Sequence, residues 1–225
     1  GFTVTAVAGD AEFGDNATLR RMLHRAKLPY ALGVSSDLKV FLGTPALEAP
    51  PPRTGKGRPR TRRCLPPDTH TVEARAWAAT HTPRQWRLVS WRNGTHRPWR
   101  ARFCAVRVTP AHDWRDARRL APEVWLLCER ELAGGDRVRY YLVDLPSTAS
   151  LRALVRLAHQ RWAIEQQYQE LKDEIGLDHF EGRSLPGWQR HVVLTAIAYS
   201  FLQSERRRRG QTHLTLPRVR AVIQE

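Results

Sequence analysis

The stretch RWAIEQQYQELK, residues 161–172, spaces four polar side chains so that they would share one face of a helix, as the side chains of a binding or catalytic site do. Successive residues of a helix are about 100° apart, so these four fall within an arc of roughly 60°. They form one polar stripe on the predicted helix: Arg161, Glu165, Tyr168 and Lys172. An apolar stripe lies about 50° round the same predicted helix; its members are Leu157, Ile164, Leu171 and Ile175. We therefore expect the polar stripe to border a buried face, where it could line a cleft.

A second carboxylate, Asp10, follows a segment typical of a buried strand. Residues 2–8 are rich in β-branched and small apolar side chains, as a strand covered on both faces would be. Asn16 is the predicted N-cap of a helix that ends before Pro29, and residues 30–34 form a second predicted strand. Such a strand–helix–strand unit is expected to be parallel and right-handed. Asp10 would then lie at the carboxyl end of a strand, where open α/β sheets bind their ligands.

Asp10 and Glu165 could together hold divalent cations over one cleft. Carboxylate oxygens suit hard cations, and two such ions about 4 Å apart activate water for phosphodiester cleavage. A structural alternative is that Asp10 caps a loop and Glu165 forms an ordinary i, i+4 ion pair with Arg161. Two carboxylates alone favour that alternative.

Two cationic side chains on the predicted helix favour a metal-dependent phosphate-binding site over the structural alternative. Arg161 lies one turn before Glu165 and Lys172 two turns after it, so both could hold phosphates beside a metal ion. The alternative for each is a solvated, charged surface. Tyr168 is expected to pack in the core rather than to take part in chemistry.

The charge balance indicates a polyanionic partner. The chain has 37 Lys and Arg against 22 Asp and Glu, a net charge of +15 and a pI near 11.0, which favour nucleic acid over a merely basic protein. Three widely spaced cysteines without a C-x-x-C pair predict neither a disulfide framework nor a zinc finger. The longest apolar run, residues 191–202, is too short for a membrane span and predicts a buried helix.

The middle of the chain predicts a β-rich insertion. We assign residues 1–35 to a first α/β part, 36–148 to the insertion and 149–225 to C-terminal helices. Within the insertion, residues 49–63 form a basic arm, and strand-like segments are separated by hairpin signals at Asn93-Gly94 and Gly134-Gly135. The segment 71–79 is among the predicted strands. One long helix is predicted over 147–178, with a cap at Ser147 or Thr148 and an end at Gly176, and a last helix over 188–209.

Residues 161–202 resemble the C-terminal block of DDE-type insertion-sequence transposases, which carry a Y-x2-R-x3-E-x6-K signature. Arg161, Glu165 and Lys172 match its R, E and K at the right spacings, and Ala158 stands at the tyrosine position. Residues 7–23 are similar to the block around that family's second catalytic aspartate, often D-x-G-Y-G. Asp10 matches the aspartate of that block, while Glu12 replaces its first glycine.

The resemblance implies a ribonuclease H-like α/β fold, like that of retroviral integrases, with a β-rich insertion before the glutamate-bearing helix. It implies a DNA transposase with two Mg²⁺ (or Mn²⁺) ions held by Asp10, Glu165 and a first aspartate on an earlier strand. No residue here corresponds to that first aspartate, so we expect the chain to be the C-terminal portion of a longer enzyme. Arg161 and Lys172 would bind phosphates of the DNA ends.

The same resemblance implies the partners and the setting. Double-stranded DNA at the transposon ends and the target would be the substrate, a homodimer on DNA would join the two ends, and the bacterial cytoplasm with its nucleoid would be the location, with no membrane partner. In relatives, insertion tryptophans stack on an extruded base; Trp86, Trp91 and Trp99 are candidates here, with sheet packing as the alternative for each. Residues 53–63 would follow the DNA backbone. Two other functions remain open: a truncated transposase remnant that only binds DNA, and an unrelated nucleic-acid-binding protein.

Overall fold

The computed structural model describes residues 3–50, 63–93, 98–111, 120–132 and 137–208, together with 218 and 221. The chain forms two compact units, Gly1–Gln160 and Arg161–Glu225. The first unit is α/β and the described part of the second is helical.

The first unit contains the strands and four of the described helices. Its strands are β1 Val7–Gly9, β2 Tyr30–Val34, β3 Lys39–Leu42, β4 Val72–Glu73, β5 Arg87–Asn93, β6 Pro98–Pro110, β7 Val124–Arg130 and β8 Val138–Asp144. Its helices are α1 Ala11–Gly14, α2 Ala17–Arg25, α3 Ala74–Ala79 and α4 Leu151–Ala158, with a 3-10 turn at Pro83–Gln85. A second 3-10 turn, His159–Arg161, includes the last residues of the first unit and the first residue of the second. The second unit contains α5 Trp162–Asp173 and α6 Leu185–Arg208.

The eight strands form one mixed sheet. The order is β1-β2-β8-β7-β6-β3-β4, and β5 pairs with the first part of β6. Only β1 and β2 are parallel among the described strand pairs, with Val7 opposite Tyr30. Helices α2 and α3 help to cover one face of the sheet through Leu23 and Trp77. Helix α4 covers the other face. This mixed α/β architecture is compatible with a ribonuclease H-like DDE fold.

Most local predictions for the first 35 residues are confirmed, but the strand predicted over residues 2–8 is wrong in extent and burial. It forms only at Val7–Gly9, which is half-buried, and residues 3–5 are exposed. The two strands are parallel, and all five residues of β2 are buried, as the sequence predicted. Asn16 caps α2, because its Oδ1 accepts a hydrogen bond from the backbone N–H of Leu19 at 3.1 Å. The helix ends at Arg25, before Pro29. The hairpins predicted at both glycine signals also pair, although the turn residues 94–97 and 133–136 lie outside the described residues.

The predicted strand over residues 71–79 is wrong beyond its second and third residues. Val72–Glu73 is a short strand, and α3 follows it directly. The alternation in this segment suggested period two, but its buried side chains lie at positions i, i+3 and i+4: Ala74, Trp77 and Ala78. Three alanines within six residues favour helix, and Trp77 gives that helix a face to bury.

The single helix predicted over residues 147–178 is also wrong. A 3-10 turn at His159–Arg161 separates α4 from α5, and the cap of α4 is Ser150, whose Oγ accepts from the N–H of Ala153 at 3.2 Å. The apolar stripe is therefore interrupted: Leu157 belongs to α4, whereas Ile164 of α5 is 50% exposed. The predicted end is confirmed, because Gly176 has a φ of 73° and closes the segment.

The last helix begins at Leu185, three residues earlier than predicted, and its described part runs to Arg208. It is not the buried helix that its apolar run suggested. Its buried residues are Thr195 and Leu202, and the exposed apolar ones are Val193, Leu194, Ile197 and Phe201. Among the described helices, none has the length and hydropathy that crossing a bilayer requires.

Candidate active site

Asp10 lies where the sequence predicted it, one residue beyond the carboxyl end of β1. It is the N-cap residue of the short helix α1, and its carbonyl oxygen accepts the N–H of Gly14 at 2.9 Å. Its side chain is exposed and caps no backbone N–H. The carboxylate is therefore free of the loop-capping role that the structural alternative gave it. Glu12, the residue that replaces the family's glycine, is also exposed.

Close backbone contact fixes the turn that carries Asp10. A Cβ added to Gly14 would lie 1.6 Å from the carbonyl oxygen of Gly33 in β2, and a Cβ on Gly33 would lie 3.0 Å from the nitrogen of Ala11. The buried guanidinium of Arg20 donates from Nη1 to the carbonyl of Gly14. The turn thus packs its backbone directly against the neighbouring strand, which only glycines allow.

Glu165 lies in the first turn of α5 and pairs with Arg161. Arg161 Nη2 and Glu165 Oε1 are 2.7 Å apart, and the two side chains are 45% and 54% exposed. This is the ordinary i, i+4 ion pair that the sequence analysis gave as the alternative to a metal-binding role for Glu165. An exposed pair of this kind contributes only about 0.3–0.5 kcal/mol, so either partner can exchange it for another ligand at little cost.

Lys172 and Tyr168 lie further along α5. Lys172 is exposed and projects from the same side as Glu165, about 10 Å along the helix axis from it. No ion pair of Lys172 is found within the described ranges. Tyr168 is 55% exposed, so the predicted core packing of this side chain is wrong. The helix presents Arg161, Glu165, Tyr168 and Lys172 to solvent together.

The structure brings Arg161 and Glu165 together, whereas Asp10 belongs to the first unit and Glu165 to the second. Within the part of the chain that the structure describes, no three His, Cys, Asp or Glu side chains lie close enough to hold a metal ion. The donor chemistry of the two predicted ligands nevertheless suits Mg²⁺ or Mn²⁺. Both are exposed carboxylates, and carboxylate oxygens are the ligands that these hard cations prefer.

A buried polar cluster that the sequence did not reveal lies at the end of α4. Glu129 of β7 is 2% exposed and accepts a hydrogen bond from the hydroxyl of Tyr141 at 2.9 Å. Its carboxylate is 3.4 Å from His159 Nε2 and 3.5 Å from Arg139 Nη1. The His159 ring in turn stacks on Trp91, with 3.9 Å between ring centroids. Glu129 occupied an ordinary strand position in the sequence, and its partners are distant in the chain, so no local signal could have found the cluster.

The cluster lowers the pKa of Glu129 despite its burial. Burial is the largest influence and raises the pKa, but hydrogen bonds and charge from His159, followed by Tyr141 and Arg139, together outweigh it. A carboxyl whose folded pKa is depressed stabilises the fold above its unfolded pKa, near 4.5, and this stabilisation is lost as the pH falls through the folded value.

We expect Glu129→Gln to lower the free energy of unfolding at pH 7 by about 1–3 kcal/mol, because the amide weakens a buried set of charged hydrogen bonds. The cost should shrink as the pH falls from about 4.5 through the lower pKa of the folded state, because the wild-type carboxyl is then protonated first in the unfolded and then in the folded protein. Urea denaturation at pH 7 and at a pH below that folded pKa measures both effects. Glu131→Gln is the control, since Glu131 is 45% exposed and pairs with Arg139 at the surface. A Glu129→Gln cost equal at both pH values would contradict this account.

The three candidate tryptophans differ in environment. Trp86 is 2% exposed beneath the guanidinium of Arg130, so core packing is confirmed for it. One face of Trp91 is taken by His159, and Trp99 is 48% exposed. Of the predicted basic segment 53–63, only Arg63 lies within the described residues, where it is exposed.

Residues 1–98 match a family model described as DDE superfamily endonuclease. The match supports a DDE-type transposase. The matched DDE region contains Asp10, the glycine contact that fixes its turn, and the first strands of the sheet. Glu165 and the other residues of α5 lie beyond it, so the Y-R-E-K arrangement remains a prediction. No curated protein matches the chain. DDE endonucleases act on DNA and generally use divalent metal ions.

Proposed function

We propose that this chain is the catalytic portion of a DNA transposase that cleaves and joins strands at the ends of an insertion sequence. The observation that carries the proposal is Asp10: an exposed carboxylate at the carboxyl end of β1, inside the DDE match, on a turn held by backbone packing. Asp10 and Glu165 are the proposed metal ligands. The family's first aspartate has no counterpart identified among these residues.

Each side chain has a proposed role that its chemistry supports. Asp10 and Glu165 supply carboxylate oxygens for Mg²⁺ or Mn²⁺, which when bound activate water and stabilise the leaving oxygen of a phosphodiester. Arg161 exchanges its weak surface pair with Glu165 for a bidentate contact to a DNA phosphate. Lys172, exposed on the same side of α5, adds a point charge to the phosphates nearby.

The proposal extends to strand transfer, to the pairing of the two element ends and to the role of the middle of the chain. The 3′-hydroxyl freed by cleavage would attack target DNA, and two copies of the chain would join the two element ends. Residues 36–148 are proposed as the family's β-rich insertion, between the second strand and the glutamate-bearing helix. Their described part consists mainly of strands β3 to β8 and the short helix α3, which supports that proposal.

The test is metal-dependent nicking of supercoiled plasmid DNA by the full-length protein, which would supply the first aspartate. We expect nicked product with Mg²⁺ or Mn²⁺ and none with EDTA, because the carboxylates alone cannot activate water. Asp10→Asn, which removes one ligand charge at an exposed position, is the matched variant and should also give no product. Nicking that persists unchanged in EDTA would refute the proposal.

A second candidate is a remnant that binds DNA without cleaving it. It is favoured by one observation: among the described residues no three His, Cys, Asp or Glu side chains form a group that could hold a metal ion. This candidate predicts DNA binding in every metal condition and no nicked product in any of them. The same plasmid assay, combined with a binding assay in EDTA, separates the two.

A further inference from the structure

Three arginines share one face of the sheet at the outer end of the β5–β6–β7 ribbon. The strand register places Arg102 of β6 directly opposite Arg130 of β7. Arg100 lies two residues before Arg102 and on the same face, because the alternate residues Ala101 and Phe103 are buried in the other face. Directly opposite residues have Cβ atoms about 4.5–5.5 Å apart, and residues i and i+2 are about 7 Å apart. We call Arg100, Arg102 and Arg130 the arginine row.

No carboxylate of these strands neutralises the arginine row. Glu129 is the one acidic residue in β5, β6 and β7, and it points to the opposite face, where Tyr141 and His159 engage it. The cross-strand neighbours of the row carry no charge: Ser90 opposite Arg100, Leu88 opposite Arg102 and Val138 opposite Arg130. Within the residues that the structure describes, none of the three arginines forms an ion pair. Like charges directly opposite each other destabilise a sheet, so an external anion bound between Arg102 and Arg130 would stabilise this part of it.

Arg130 is held in place before any ligand binds. Its guanidinium carbon lies 4.5 Å from the centre of the Trp86 ring, and Trp86 is buried. Its Nε is buried without a hydrogen-bond acceptor among the described residues. The cation is thus ordered by ring stacking and lacks an internal acceptor.

We propose that the arginine row is a contact for the sugar–phosphate backbone of duplex DNA. Guanidinium groups bind phosphate oxygens bidentately, and one DNA strand presents a phosphate every 3.4 Å of helix axis, so the row spans neighbouring phosphates. The inference rests on the proposed function for the identity of the anion. It adds a DNA contact in the sheet of the first unit, which is distinct from Arg161 and Lys172 of the second.

The test compares two double variants of the full chain in EDTA, by fluorescence anisotropy with a labelled duplex over a range of salt concentrations. Each phosphate contact adds about 0.9 to the slope of log affinity against log salt. We therefore expect Arg100→Gln/Arg102→Gln to reduce the slope by about 1.8 and to weaken binding about tenfold or more at low salt. The control Arg152→Gln/Arg156→Gln removes the same charge from exposed positions of α4 and should keep the wild-type slope.

Several outcomes would overturn the inference. These are a wild-type slope in the row variant, an equal fall in both double variants, and a wild-type chain that binds phosphatidylserine vesicles but not duplex DNA. Arg102→Lys gives a variant that keeps the charge: it should keep the slope and lose affinity only. Because no metal is present, a failure of plasmid nicking would refute the proposed function and leave this result unaffected.

Discussion

Replacing Glu165 by glutamine is expected to reduce Mg²⁺-dependent DNA nicking about a thousandfold or more, while DNA affinity stays within about twofold of the wild-type value. The amide removes the negative charge that a divalent cation needs from this ligand, and a lost metal contribution of several kcal/mol corresponds to about that factor in rate. The fold should be unaffected. Glu165 is 54% exposed, and within the second unit its carboxylate is engaged by the weak surface pair with Arg161.

Asp173→Asn is the matched control for Glu165→Gln. It removes one negative charge from an exposed position of the same helix, and we expect nicking to be unchanged. Thermal unfolding of both variants should coincide with that of the wild type. A wild-type nicking rate in Glu165→Gln, or an equal loss in Asp173→Asn, would remove Glu165 from the active site.

Gly14→Ala is expected to lower the free energy of unfolding by about 1–3 kcal/mol and to reduce nicking about a hundredfold. The added Cβ would lie 1.6 Å from the carbonyl oxygen of Gly33, and backbone on both sides must move to admit it. The turn that carries Asp10 would shift with it, and a displacement of about 1 Å in a catalytic group can cost a hundredfold in rate. Urea denaturation measures the first effect and plasmid nicking the second.

Gly187→Ala separates this steric effect from a general effect of replacing glycine. Its added Cβ would meet side-chain atoms that can move, Ser184 Oγ at 2.8 Å and Phe180 Cζ at 3.1 Å. Alanine is also favoured over glycine in a helix by about 1 kcal/mol. Ser184 Oγ also accepts the N–H of Gly187 at 3.2 Å, so its shift offsets part of this gain. We expect stability within about 1 kcal/mol of the wild-type value and unchanged nicking. If Gly14→Ala behaves in the same way, the backbone contact does not position Asp10.

Local signals sufficed for the first part of the site. The Asn16 cap and the all-buried strand after Pro29 each reflect interactions within a few residues, and the structure confirms them. The strand predicted before Asp10 forms only over Val7–Gly9. The position of Asp10 beyond β1 followed from these local signals alone. Arg161 and Glu165 likewise interact at a helical spacing that the sequence displays directly.

The surroundings of α5 could not be predicted in this way. The 3-10 turn at His159–Arg161 ends α4, and its first residue is held by Glu129 and Trp91, which come from other strands far away in the chain. No periodicity in residues 147–178 encodes those contacts. The predicted apolar stripe assumed one continuous helix and failed at this turn. The segment of α3 has an alternating pattern that fits a strand or a helix. Packing of Trp77 in a cluster of buried residues from distant parts of the chain favours the helix.

The pairing of β2 with β8 has a consequence for how the chain folds during synthesis. These strands lie about a hundred residues apart, and β8 pairs with β2 along all five of its residues, which are buried. At 5–20 residues per second, a ribosome needs roughly 5–20 s to make the intervening segment. For that interval the apolar strand Tyr30–Val34 has one edge without its final partner, and such edges are open to association with other chains. The nascent chain should therefore depend on chaperones until residue 144 has emerged.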